Sequence, residues 1–135
     1  MSKVVLFIGE KIKQTQLFNY IISCDYNYVI TYNFREAIGL FTQVTPDIVI
    51  INYDRKLFFH LDDLQELKYQ INNVYIPIVL IVNSNDRKIR IEALKHGING
   101  FINLPFDKEE TAYTLHNCFS ISDKRNEFFS ELKLL

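Results

Sequence analysis

The chain has 135 residues, 48% hydrophobic and 23% charged, with a net charge of −1. That length is enough for one domain with a sizeable core, and the charge balance offers no basic field for nucleic acid. No apolar run is long enough to span a membrane, and MSKVVLFIGE at the N-terminus lacks the small-residue cleavage site of a signal peptide. Cys24 and Cys118 stand apart without CxxC spacing, which predicts reduced, packed thiols in a cytoplasmic protein.

In chain order the pattern alternates. Val4–Ile8 is apolar throughout and too short for a helix, so it reads as a strand. Residues 10–23 carry Leu17, Phe18, Ile21 and Ile22 at helical spacing, with Glu10 suited to a first turn. Tyr28–Tyr32 is aromatic and β-branched, the signature of a second strand. Asn33 with Glu36 resembles a capping box, and Ala37, Leu40, Phe41 and Val44 follow as a helical stripe that Pro46 stops. Ile48–Ile51 is a third strand, ending in Asn52. Leu61, Leu64, Leu67 and Ile71 mark a third helix, with Lys68 on its edge.

Pro77 precedes a fourth apolar strand, IVLIV. Residues 85–96 then form a helix with Ile91 and Leu94 inward and Gly97 as its C-cap glycine. Gly100–Asn103 is a short fifth strand. Asp107 with Glu110 caps a last helix carrying Ala112, Leu115 and Phe119. Strand and helix thus alternate five times. Strands apolar on both faces predict a parallel sheet between helical layers, an α/β doubly wound fold. Ligands of such folds bind beyond the carboxyl ends of the strands.

Residues 1–121 form the repeat. Residues 122–135 depart from it: Ser122-Asp123 reads as the cap of a further helix with Phe128, Leu132 and Leu135 on one face. Two readings stand: a helix packed on the domain, or a connector or dimer seam.

Two segments carry a resemblance. FREAIGLFTQVTPDIVIIN is similar to the second helix through third strand of bacterial response-regulator receiver domains. IPIVLIVNSNDRKIRIEALKHGINGFINLPFD resembles their fourth strand through fifth, with Leu104-Pro105-Phe106 at the lysine-proline-phenylalanine signature. The resemblance covers about residues 3–120 and implies a flavodoxin-like sheet with strand order 2-1-3-4-5. It also implies a phosphorylation site: an acidic pair for Mg²⁺, a nucleophilic Asp, a Thr or Ser, a Lys, and an aromatic that changes rotamer. The matching positions here are Ile8 and Gly9, Asn52, Val82, Leu104 and Phe101. Their intervals of 44, 30 and 22 residues from position 8 through 52 and 82 to 104 keep the family frame.

The frame is present and the chemistry is not. Phosphoryl transfer to a carboxylate needs an anionic nucleophile and a cation. Asn52 is a neutral amide, and Ile8 and Gly9 supply no oxygen for Mg²⁺. Val82 has no hydroxyl and Leu104 no charge, so the pocket is expected to be rebuilt as core, with no metal and no cofactor. Glu10 and Asp54 lie near the old site, either as solvated loop acids or as a shifted metal site. Lys56 and His60 replace the family's turn residues, and Phe58 and Phe59 either fold back or form an exposed patch. Pro105 resembles a position that is cis in the family, which predicts a cis Leu104–Pro105 bond. Phe101 is either an ordinary buried aromatic or a residual switch. His60, His96 and His116 share no metal-ligand spacing.

The expected function is a phosphorylation-independent pseudo-receiver, not an enzyme, acting in signal transduction through a protein partner or homodimer. The family's usual output face, roughly residues 85–120, supplies Arg87, Arg90, Lys95, Phe101, Glu109 and Glu110. Their charges either pair across a two-fold dimer or are simply solvated. The rival is a small-ligand sensor with an apolar pocket at the sheet's carboxyl edge. Neither a membrane nor direct nucleic-acid contact is expected of this domain.

Overall fold

The computed structural model describes residues 3–52, 61–72 and 76–134. Five strands, β1 (Val4–Ile8), β2 (Asn27–Thr31), β3 (Ile48–Asn52), β4 (Ile78–Asn83) and β5 (Gly100–Leu104), form one sheet. Its order is β2-β1-β3-β4-β5 and every pairing is parallel. The helices are α1 (Gln16–Ser23), α2 (Phe34–Leu40), α3 (Leu61–Asn72), α4 (Arg87–Lys95) and α5 (Lys108–Leu134), with a 3₁₀ turn over Ile12–Gln14. This is the flavodoxin-like topology expected from the sequence.

Two-residue periodicity divides the strands between two cores. Leu6, Ile8, Val49, Ile51, Leu80 and Val82 face α2, α3 and α4 through Phe34, Ala37, Leu67 and Ala93. Val5, Phe7, Ile48, Ile50, Val79, Ile81 and Ile102 face α1 and α5 through Leu17, Phe18, Ile21, Leu115, Cys118 and Phe119. Each apolar strand residue therefore has a layer to enter. This is why β3 and β4 read as unbroken hydrophobic runs.

The helix starts are capped by side chains that accept backbone N–H groups. Asn33 Oδ1 accepts from Glu36 N (2.9 Å), and Glu36 reaches back to accept from Tyr32 N (3.1 Å). Asp86 and Asp107 cap α4 and α5 by accepting from Ile89 N and Glu110 N. Gly97, at φ +84°, ends α4, and the Lys68 side chain lies where a Cβ at position 97 would project.

Four expectations are corrected. Glu10 is not in a helix: α1 begins at Gln16, because Thr15 Oγ1 accepts from Phe18 N and fixes the start there. Ile22 is exposed. On α4, Ile91 and Leu94 are 46% and 58% exposed, while Ile89 and Ala93 face the core. The helix carries two apolar stripes, and the sheet takes the one with the smaller residues. Finally, α5 runs unbroken for 27 residues, with no new start at Ser122. At 1.5 Å per residue it is about 40 Å long.

Ser122 does not cap because its hydroxyl has a distant partner. It is fully buried and donates to Asp47 Oδ1 (2.7 Å), while Asp47 Oδ2 accepts from Val4 N (2.8 Å). One turn of the helix is thereby tied to the start of β1 and the residue before β3. Asp123 pairs with Lys3, whose ammonium also lies 5.7 Å from the Phe119 ring centroid. Replacing Asp47 by Ala should lower the unfolding free energy by about 1–3 kcal/mol, since buried donors lose their acceptor. Urea denaturation will measure it.

Burial also sets an alkaline limit. It pushes the Cys118 thiol from 9.0 up to about 11. Burial, followed by the neighbouring Cys24 thiol, pushes the Tyr20 phenol from 10.0 up to about 12. Above pH 9.0 the unfolded chain releases these protons first, so the folded state loses its advantage as pH rises through the folded values. Stability measured at neutral pH should hold to about pH 9 and fall from there toward pH 12. Cys118→Ser should remove the lower part of that fall.

Candidate functional site

The carboxyl edge of the sheet gathers the residues singled out from sequence. Ile8 ends β1 and Gly9 follows it, Asn52 ends β3, Val82 and Asn83 end β4, and Leu104 ends β5. Asp54 lies outside the described residues, as do Lys56, Phe58, Phe59 and His60.

Gly9 is buried at φ +137°, with its N–H donating to Thr31 O (2.9 Å). A Cβ there would lie 2.9 Å from Asn52 Cβ and 3.2 Å from Asn52 O. Positions 9 and 52 are therefore in backbone-level contact. A carboxylate at 9 would require both a disfavoured φ and a displaced β3. Asn52 is half-buried, and its Nδ2 donates to Glu10 O (3.2 Å). A carboxylate has no hydrogen to give, so this tie between the ends of β1 and β3 needs the amide.

The apolar positions behave unequally. Ile8 and Val82 are 0% and 1% exposed and belong to the α2–α3–α4 core. Leu104 is 39% exposed, which corrects the expectation that all three had become core. Its side chain lies at the rim, at the last residue of β5, whereas Ile102 two residues earlier on the same strand is buried. Its carbonyl accepts from Ser84 N (2.9 Å), joining the ends of β4 and β5. The Leu104–Pro105 peptide is cis.

Glu10 is exposed. Among the described residues, no three His, Cys, Asp or Glu side chains gather as metal ligands would. His96 Nδ1 is 2.8 Å from Glu92 O within its own helix, and His116 is exposed. The recess lined by Leu40, Phe41, Val44 and Pro46 lies beside the first residue of β1, at the opposite end of the sheet.

A second constellation sits around β5. Phe101 is half-buried, with the Arg90 guanidinium 5.1 Å from its ring centroid. Arg90 Nη2 also donates to Asn103 Oδ1, and Asn103 Nδ2 donates to Glu110 Oε1. Arg87, Lys95 and Glu109 are exposed around this group, and Lys95 lies 3.9 Å from Glu92 on the same helix. Ile91, Leu94 and Tyr113 are exposed apolar groups on the two flanking helices. Sequence reasoning missed Asn103. Its two-residue offset from Phe101 on β5 was the available signal, since such residues share a face.

The strand order and the two helical layers are those of a response-regulator receiver domain, and the protein has that fold. A signal receiver domain of an HD-domain protein from Pseudomonas fluorescens superposes with a TM-score of 0.77 at 16% identity, covering 93% of each chain. The receiver domain of a Francisella response regulator gives 0.69 at 18% identity, covering 88% of this chain and 98% of that one. By sequence, a hybrid signal transduction histidine kinase of Dictyostelium discoideum is 23% identical over 128 residues, which is 95% of this chain and 8% of that protein. A protein of Guillardia theta described as "Probable transcriptional regulator ycf29" is 33% identical over 82 residues, 60% of this chain and 34% of that protein. The chain thus spans about a third or less of the length of these curated relatives. No family model matches it. Among the described residues no helix is long and apolar enough to cross a membrane.

Asn52→Asp should lower stability by about 1 kcal/mol, because the carboxylate would face the Glu10 carbonyl without a hydrogen to share. Gly9→Asp should cost more, since it adds the Cβ overlap with Asn52. Chemical denaturation of both variants against the parent checks the order.

Proposed function

We propose that the protein is a pseudo-receiver, a signalling domain that works by protein contact and takes no phosphoryl group. The observation that carries this is the Asn52 amide donating to Glu10 O against Gly9. An acyl phosphate requires a carboxylate at the strand end, and a divalent cation to offset the charge of the transferred group. In this chain the amide stands where that carboxylate would be. The contact with Gly9 leaves no room for an acid at its side. The protein on this reading is not an enzyme. Its relatives named as a hybrid kinase and a transcriptional regulator are longer proteins, which fits a regulatory domain within a larger signalling protein. The uninterrupted α5 suits a connector in that setting.

The contact surface we assign is α4–β5–α5. It presents Arg87 and Lys95 from α4, Glu109 from α5, and the exposed apolar side chains Ile91 and Leu94. A second copy related by a two-fold axis would set the basic helix against the acidic start of α5. No observation favours the small-ligand reading, since Ile8 and Val82 at the carboxyl edge are closed into the core.

Two measurements test this. Incubation with acetyl phosphate and Mg²⁺ should leave the intact mass unchanged; a phosphoryl adduct would refute phosphorylation independence. Light scattering coupled to size exclusion should show self-association that Leu94→Glu weakens by about tenfold or more, as expected of a central apolar contact. A strict monomer at all concentrations, indifferent to the substitution, would refute the dimer.

A further inference from the structure

We infer that Arg90, Asn103 and Glu110 form an internal clasp that fixes the arrangement of the α4–β5–α5 face from within. The inference concerns how the surface of the proposed function is held, and the clasp itself does not depend on that reading.

The clasp follows from where its members sit. Arg90 is on α4, which packs on one face of the sheet, and Glu110 is on α5, which packs on the other. Among the described residues no backbone hydrogen bond joins these two helices, so the strand between them must link them. Here the strand is β5, the last of the sheet, with a neighbour on one side alone. Asn103 supplies the bridge. Its side-chain carbonyl accepts from the Arg90 guanidinium, and its amide donates to the Glu110 carboxylate. An amide suits this place because it is a donor and an acceptor at once. Both of its partners are charged, which makes each bond stronger than a neutral one.

Two further contacts direct the clasp. The Arg90 guanidinium lies over Phe101, two residues before Asn103 and on the same face of β5. Phe101 is therefore held by a cation that is itself held by Asn103. At the other end, Glu110 stands at the third position of α5, where its N–H donates to Asp107. In a reciprocal capping box its carboxylate would turn back to the start of its own helix. It turns outward instead, to Asn103, so the cap of α5 is joined to the chain of contacts that ends on α4. A bistable face needs something that binds its two states differently. This face carries its own counter-charges, and its state is set without a group bound at the carboxyl edge.

Amide hydrogen exchange read by mass spectrometry on the whole chain tests the clasp. Asn103→Ala removes both bonds. It should raise exchange across α4, Arg87–Lys95, by about tenfold relative to β1 and β3, whose opening does not involve the clasp. Glu110→Ala, at an exposed position, should raise α4 exchange in the same direction. Glu110→Gln keeps an acceptor for Asn103 and should restore most of the protection. Unchanged α4 exchange in Asn103→Ala and Glu110→Ala would overturn the inference. So would a rise spread equally over β1 and β3, or no difference between Glu110→Ala and Glu110→Gln. Light scattering on the same variants separates the two readings: α4 loosening in a strictly monomeric protein supports the clasp and refutes the dimer.

Discussion

The hydrogen bond from Asn52 to the Glu10 carbonyl, together with the contact of Asn52 on Gly9, is the constraint around which the carboxyl edge is arranged. In a parallel sheet the strand ends are where backbone groups run out of ladder partners. Something must satisfy or solvate them. Here one neutral side chain does so by crossing from β3 to the loop after β1. Because the tie requires a donor, and because Gly9 leaves no space for a Cβ, an acid is disfavoured at both positions by the same contact. On the proposed reading, the lack of a phosphorylation site follows from how the edge is packed, more than from any one residue change.

With that end of the molecule closed, the polar chemistry of the fold lies to the side, around β5. Arg90, Asn103 and Glu110 place a cation, an amide and a carboxylate in series where two helical layers meet an edge strand. The exposed Ile91 and Leu94 belong to the same helix as Arg90 but to another stripe. One stripe of α4 therefore looks into the domain, one is held by the clasp and one is open.

Much of this was legible in the sequence, for identifiable reasons. Residues 48–51 and 78–82 are apolar without a break, and only burial on both faces accounts for that in so short a run. Asn33 and Asp107 were legible as caps because capping is a local interaction spanning three residues. The inward face of α4 was not legible: Ile89/Ala93 and Ile91/Leu94 are both apolar stripes, and only the sheet decides between them. Leu104 could not be separated from Ile8 and Val82, since all three are apolar residues near strand ends and hydrophobicity does not report which of them other elements cover. Ser122-Asp123 has the composition of a helix start, and what overrides it is Asp47, 75 residues away in the chain. Asn103 was missed for the same reason, as both of its partners come from other elements.

The Asp47 junction also bears on how force would pass through the domain. Beyond Ser122 the helix continues as a rod to Leu134, and the Ser122 anchor is not on the neighbouring edge strand β5. It is fixed at the first residue of β1 and the approach to β3, which are paired strands in the middle of the sheet. A twist or pull on the rod would therefore be delivered to two interior strands of the sheet. Those are the strands whose far ends Asn52 and Gly9 hold together, so a torque at one end of the sheet and the closed edge at the other act on a single mechanical unit.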